Sequence, residues 1–424
     1  MFGEIIAIGD ELISGKVLNT TSTFAAKKLF SAGYPIRRIT SIGDDPRDIE
    51  ECLIQAIGRS YFVLVTGGLG PTDDDITNEV VAKALGRPLV ANQTVMALFE
   101  RAKAYGHRHS DKFMKKLAMM PEGAEFLNPK GHAAGYLLVH EGIPLFFLPG
   151  VPDQLEDHVV NQVIPRLKRL IDKGLTIRQK TFKVFGLQET EINDLVDQIE
   201  VGSQGIIIGY YPNFPEVHVT VTVKGEQSPE VEASFYGMCQ RLQELLGQQV
   251  VAQDDETLEE VTGQLLMDKN GMLALAESCT GGLIAHRVTR IPGSSQWFER
   301  GVVTYSNQAK QDILGVPKQV LSQHGAVSSQ TAIAMVEGVR KISGVQYTLA
   351  VTGIAGPTGG LPDKPVGTVY IALSAPEGTK VHRFLFPGDR HMIQDLTAET
   401  ALDWLRRHLS FGPEAGPVER YRKD

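Results

Sequence analysis

Two periods of hydrophobic and polar residues divide the chain. Over the first 170 residues, short apolar runs alternate with stretches whose apolar residues recur every three or four positions. The runs predict strands over 4–8, 37–42, 61–65, 135–140 and 144–148, and the stretches predict helices over 20–31, 46–57, 76–85, 93–105 and 111–119, with a closing helix after 152. Asp45 stands before Pro46 as N-cap and first-turn residue of the second helix. Such alternation predicts an α/β domain, a mostly parallel, doubly wound sheet with ligands at the carboxyl ends of its strands. Between 178 and 250 the pattern changes. A strand over 178–185, an amphipathic helix over 189–199 with Ile192, Leu195, Val196 and Ile199 on one side, strands over 205–211 and 217–224, and a helix over 229–246 make a small α+β module. A second α/β domain follows, with helices at 258–267, 283–288, 328–343 and 391–408 and strands at 272–276, 299–305, 346–352, 366–373 and 380–386. The expected boundaries are 1–172, 175–252 and 255–412, and the Gly- and Pro-containing tail 413–424 is expected to be disordered.

Length and composition narrow the functional classes. The 424 residues suffice for several cores, and 42% hydrophobic with 22% charged residues is ordinary for a soluble protein. The net charge of −8, with no basic block longer than RLKRL at 166–170, argues against tight sequence-blind nucleic-acid binding. Cys52, Cys239 and Cys279 are too few and too scattered for a disulfide framework or a four-cysteine zinc site, which points to the cytoplasm. The opening MFGEIIAIGDE has no basic n-region and carries Glu4, so it reads as a first strand. No run approaches the ~18 apolar residues of a membrane span.

The candidate chemistry gathers where apolar runs end. In Ala276-Glu-Ser-Cys-Thr-Gly-Gly282 a strand turns directly into a helix, exposing a hydroxyl and aiming the backbone N–H groups of the helix start at one spot, where they suit an anion or an oxyanion. A plain helix cap is the alternative. Three further clusters end apolar runs in the same way: Tyr305-Ser-Asn-Gln-Ala-Lys310, Val351-Thr-Gly-Ile-Ala-Gly-Pro357 and Phe386-Pro-Gly-Asp-Arg390. In the first domain the comparable clusters are Gly9-Asp10-Glu11, Thr66-Gly-Gly-Leu-Gly-Pro-Thr-Asp-Asp-Asp75 and Pro149-Gly-Val-Pro152. Gly67, Gly68 and Gly70 would let a phosphate approach the backbone, with Pro149 and Gly150 facing it. Asp73, Asp74 and Asp75 either hold a divalent cation or cap the following helix. In the middle module Gly202-Ser-Gln-Gly205 spells the phosphate clamp of nucleic-acid-binding KH domains, but it lies between a helix and a strand. Residues 177–250 also carry 10 acidic against 5 basic side chains, so RNA binding is not expected.

AESCTGG, YSNQAK, VTGIAGP and FPGDR resemble the C-terminal domain of the CinA (competence/damage-inducible protein A) family, and the resemblance extends over the whole chain. It implies deamidation of nicotinamide mononucleotide without a metal. Ser278 would be the nucleophile and Lys310 its base, assisted by Tyr305. Thr280, Gly281, Gly282, Thr352, Gly353 and Gly356 would line the site, and Arg390 would take the substrate phosphate. Cys279 is the rival nucleophile, but adjacent residues of an extended strand point oppositely, and a lone cysteine among apolar neighbours suits a core. GGLGPTDDD and GDELISGKVLNT are similar to the molybdopterin-binding fold. In this family that fold implies an ADP-ribose pyrophosphatase dependent on a divalent metal at Asp75, with Asp10, Glu11 and Asn19 at the substrate. Asn19 replaces an Asp of some relatives. The resemblance also implies a KH-like spacer and a homodimer. The rival readings are a nucleotide-binding sensor or scaffold in competence, and a molybdopterin-processing first domain.

Overall fold

The computed structural model describes residues 1–104, 111–127, 135–171, 175–199, 205–225 and 228–423. It divides into two compact units, residues 1–179 with 223–228, and residues 180–222 with 229–424.

In the first unit a six-stranded sheet runs in the order Ile36–Ile42, Gly3–Ile8, Phe62–Thr66, Ile143–Leu148, Tyr136–His140, Glu125–Phe126. The first four strands are parallel and the last two antiparallel. Period-two alternation feeds two cores. Ile6, Val63, Val65, Leu145 and Phe147 pack on one face, and Ile5, Phe62, Leu64, Phe146 and Leu148 on the other. Helices cover both faces, as the doubly wound expectation requires. Asp45 caps the helix Pro46–Ile57 by accepting from the N–H groups of Arg47 and Asp48. The sequence pattern did not mark the two-stranded ribbon of Leu89–Ala91 with Met119–Pro121.

The second unit holds the C-terminal sheet and most of the sheet of the middle module. The middle module has strands in the order Ile206–Asn213, Glu216–Lys224, Ile177–Val184, Val250–Gln253, with helices Glu189–Val196 and Pro229–Leu246. Of its GSQG tetrapeptide only Gly205 lies within the described residues. The C-terminal sheet runs Phe298–Val303, Leu273–Glu277, Tyr347–Gly353, Thr368–Ala375, Gly378–Leu385, the first three parallel and the last two antiparallel. Its long final helix, Arg390–Phe411, has thirteen consecutive buried residues from Thr397 to Leu409, so that stretch is enclosed on all sides. Helix Lys318–His324, which begins after Pro317, was not expected from the pattern.

The expected disorder of the tail is not found: Val418 is buried in the C-terminal core and Arg422 bridges to Phe384. Its valine and aromatic residues outweigh the local Gly and Pro content. Among the described residues no helix is long and apolar enough to cross a membrane.

Candidate functional site

The parity of the Leu273–Glu277 strand sets the C-terminal site. Leu273 and Leu275 join the core on one face and Ala274 and Ala276 the core on the other. Cys279 belongs to the leucine side, buried in that core, where desolvation pushes its thiol up to about 12. Ser278 leaves the strand in the alternate direction. Its Oγ lies 2.8 Å from Nζ of Lys310, which is only 1% exposed. Ser306 places that lysine by capping helix Asn307–Leu314. The second partner of Lys310 is the carbonyl of Thr304, 2.6 Å away. Burial lowers the Lys310 pKa below the ordinary lysine value, and Cys279 acts weakly in the other direction.

Glu277 departs from the expectation. Its buried carboxylate accepts from the hydroxyl of Thr280 and from the N–H groups of Gly282, Ile284 and Ala285, at 2.7 to 3.1 Å. The start of helix Leu283–Thr289 is thereby neutralised from within the protein, so Thr280 and Gly282 bind Glu277 where they had been expected to face substrate. Gly282 has φ of 101°, which lets the chain double back onto that carboxylate. The Gly281 N–H goes to the Ser278 carbonyl, and Gln394 holds the turn by donating to the Cys279 carbonyl. Only the position of Glu277 inside the motif pointed to this role.

Three other clusters meet through Arg390, which donates to the Tyr305 hydroxyl and to the Gly356 carbonyl, each at 2.9 Å. Tyr305 therefore pairs with Arg390 and not with Lys310. It is 64% exposed and cannot supply the desolvation that acts on the lysine. Thr352 is buried with its hydroxyl donated to the Ala326 carbonyl, and Gly353 abuts Val369, so both shape the strand end.

In the first unit a pocket of about 530 Å³ opens at the carboxyl ends of the parallel strands. Glu11, Gly67, Gly68, Gly70, Asp74, Asp75, Pro149 and Gly150 line it together. A Cβ on Gly67, whose φ is 101°, would fall 2.1 Å from the Ile8 carbonyl oxygen, so only glycine fits the floor. Asp10 and Asp44 clasp each other's backbone N–H groups at 3.0 and 3.2 Å, tying two strand ends together. Asp44, 34 residues away in sequence, also lines the pocket and was not anticipated; burial and the neighbouring Asp10, Glu11 and Asp74 raise its pKa. Asn19 is instead the N-cap of helix Thr20–Ser31, accepting from Ser22 N–H and donating to Ser41. Asp75 accepts from the Thr72 N–H at 2.9 Å and from its hydroxyl, and Lys116 donates to the Thr72 carbonyl beside it. Glu11, Asp44, Asp74 and Asp75 are hard oxygen donors of the kind a divalent cation takes, although among the described residues no three acidic groups cluster closely enough to enclose one. Magnesium is commonly held by one or two carboxylates with substrate phosphates completing its shell, and the donor set fits that arrangement.

Three family models match the chain: the CinA C-terminal domain over residues 255–409, a probable molybdopterin binding domain over 4–169, and the damage-inducible protein CinA KH domain over 179–252. The chain is 45% identical over 407 residues to a CinA-like protein of Desulfotalea psychrophila, covering 96% of this chain and 98% of that one. It is 40% identical to a putative competence-damage inducible protein of Caldanaerobacter subterraneus, covering 96% and 98%. Among solved structures, the competence/damage inducible protein CihA of Agrobacterium tumefaciens is 45% identical over 35% of this chain and 92% of that chain, with a TM-score of 0.34.

Proposed function

From the premise that the chain belongs to the CinA family, we propose that it carries two hydrolytic sites for pyridine-nucleotide breakdown. The C-terminal site deamidates nicotinamide mononucleotide: with water, it yields nicotinic acid mononucleotide and ammonia. The observation that carries this reading is the 2.8 Å contact of Ser278 Oγ with a buried Lys310. Ser278 Oγ attacks the carboxamide carbon while its proton passes to neutral Lys310. The ammonium so formed steadies the oxyanion and then protonates the departing amine, leaving an acyl-serine. Water, deprotonated by the same lysine, attacks this ester, and the carboxylate leaves as Ser278 recovers its proton. Arg390, held by Tyr305 and Gly356, offers its planar guanidinium to the phosphate. A sensor or scaffold has no use for a desolvated lysine against a serine hydroxyl.

The first unit would cleave ADP-ribose with water to AMP and ribose 5-phosphate. A divalent cation bound there would supply charge neutralisation of the pyrophosphate. Asp74 and Asp75 would hold it, Gly67 and Gly68 would cradle the phosphates, and Asp44 would orient the turn through Asp10.

Ammonia release from nicotinamide mononucleotide by the full chain tests the first assignment. Undetectable release, with the protein folded and Ser278 unmodified, would reject it. AMP formation from ADP-ribose with and without a chelator tests the second, and chelator-insensitive cleavage would remove the metal.

A further inference from the structure

The C-terminal end of the Arg390–Phe411 helix carries an excess of buried positive charge. The side chains of Arg406 and Arg407 are 5% and 6% exposed, and both bind the same fully buried carboxylate, Asp403. Arg406 takes Asp403 Oδ1 and the Gln248 carbonyl; Arg407 takes Asp403 Oδ2 through Nε and the Gln248 side chain, weakly, through Nη1. The Nη2 of Arg407 is buried with no partner. Two guanidinium groups sharing one carboxylate leave one charge uncompensated, and a buried charge is stable only when paired.

A pocket of about 650 Å³ lies against this arginine, lined among others by Gln188, Gln248, Gln249, Arg407, Val418 and Arg420. Its amide groups are neutral donors and acceptors, and its volume is that of a small-molecule site. Glu191 on the rim is already engaged by Arg420, at 2.8 Å, and by the Gln188 N–H. Glu419, the other carboxylate of the lining, is held by Arg422 at 2.8 Å, so the missing counter-charge must come from outside. The tail forms one wall, so an occupant would bind the tail to the middle module.

We propose that this pocket is an anion site for a small phosphate-bearing molecule, whose phosphate pairs with Arg407 and is closed over by Arg420 of the tail. It is separate from both sites assigned above, and its contribution is the part of the response that depends on Arg407 and not on Arg390.

The probe is glycerol 3-phosphate, which neither proposed activity hydrolyses, added to the full chain while its melting temperature is followed. The wild type is expected to show a saturable rise. Arg407→Met removes the excess charge and leaves Arg406 paired with Asp403, and its melting temperature is expected to rise less than that of the wild type. Arg390→Gln, at the C-terminal site, keeps the response. No saturable rise in the wild type, or an equal rise in Arg407→Met, overturns the proposal. Should Arg407→Met fail to fold, Arg420→Gln on the surface decides. A loss of about tenfold in affinity supports the site, and unchanged affinity overturns it.

Discussion

Ser278 and Lys310 are single side chains whose mutual position carries the deamidation mechanism, so their variants test it most directly. If they act as one unit, Ser278→Ala and Lys310→Ala each remove most of the ammonia release, and the double variant is hardly worse than either. Additive losses would leave Lys310 as a binding residue. Because burial holds the Lys310 pKa below the ordinary 10.5, kcat/KM should rise with pH through a value under that figure. The linkage has the same sign: between the depressed folded pKa and 10.5 the unfolded chain binds the extra proton, so stability increases with pH across that window. Lys310→Met should abolish this increment in denaturation midpoints measured against pH. Cys279→Ala should cost about 1–2 kcal/mol as a small core truncation yet leave turnover within a few-fold. An inactive Cys279→Ala beside an active Ser278→Ala would transfer the nucleophile's role to the thiol. The separation of Ser278 from Cys279 was legible in the sequence, because strand parity is local. Asp44 was not, since the clasp with Asp10 joins residues 34 positions apart and depends on which strands become neighbours.

The strand–turn–helix from Leu273 to Thr289 shows where motif reading stops. Its order of elements follows from an apolar run, two glycines and helical spacing. The direction of its free N–H groups does not, because a carboxylate within the motif can fold back on them. Glu277 does so with four hydrogen bonds, three to backbone N–H groups. Glu277→Ala should therefore destabilise by about 3 kcal/mol or more, since it strands buried donors, and should lower kcat by loosening the turn that carries Ser278. Glu277→Gln, which keeps one acceptor oxygen, should recover part of both losses. Urea denaturation and ammonia release measure the two effects. A stable, fully active Glu277→Ala would show that the helix start needs no internal anion. In the first unit, Asn19 was misplaced by the same limit: a residue at a helix start serves the helix before it serves a ligand.

At the scale of the whole molecule, the two proposed sites lie in different compact units and should fail independently. Asp75→Asn, which loses the charge beside Thr72 and Gly70, should lower ADP-ribose cleavage by roughly a hundredfold and leave ammonia release unchanged. Parallel assays of both products from the same preparation would show any coupling. The three-part division was readable from the change of period near residues 178 and 255, whereas the ordered tail was not, because Val418 finds its place in a core built from distant residues and beside Gly186. The enclosed final helix has one further consequence. Arg390 at its start serves the Tyr305 cluster, while Arg406, sixteen residues on, grips Gln248 of the middle module. At 1.5 Å and about 100° per residue, a single inserted residue between them would advance one end by that rise and swing its side chains onto a different face. The helix is thus a ruler: individual residues along it can be exchanged, but its count cannot change by one without sacrificing the anchor at one end.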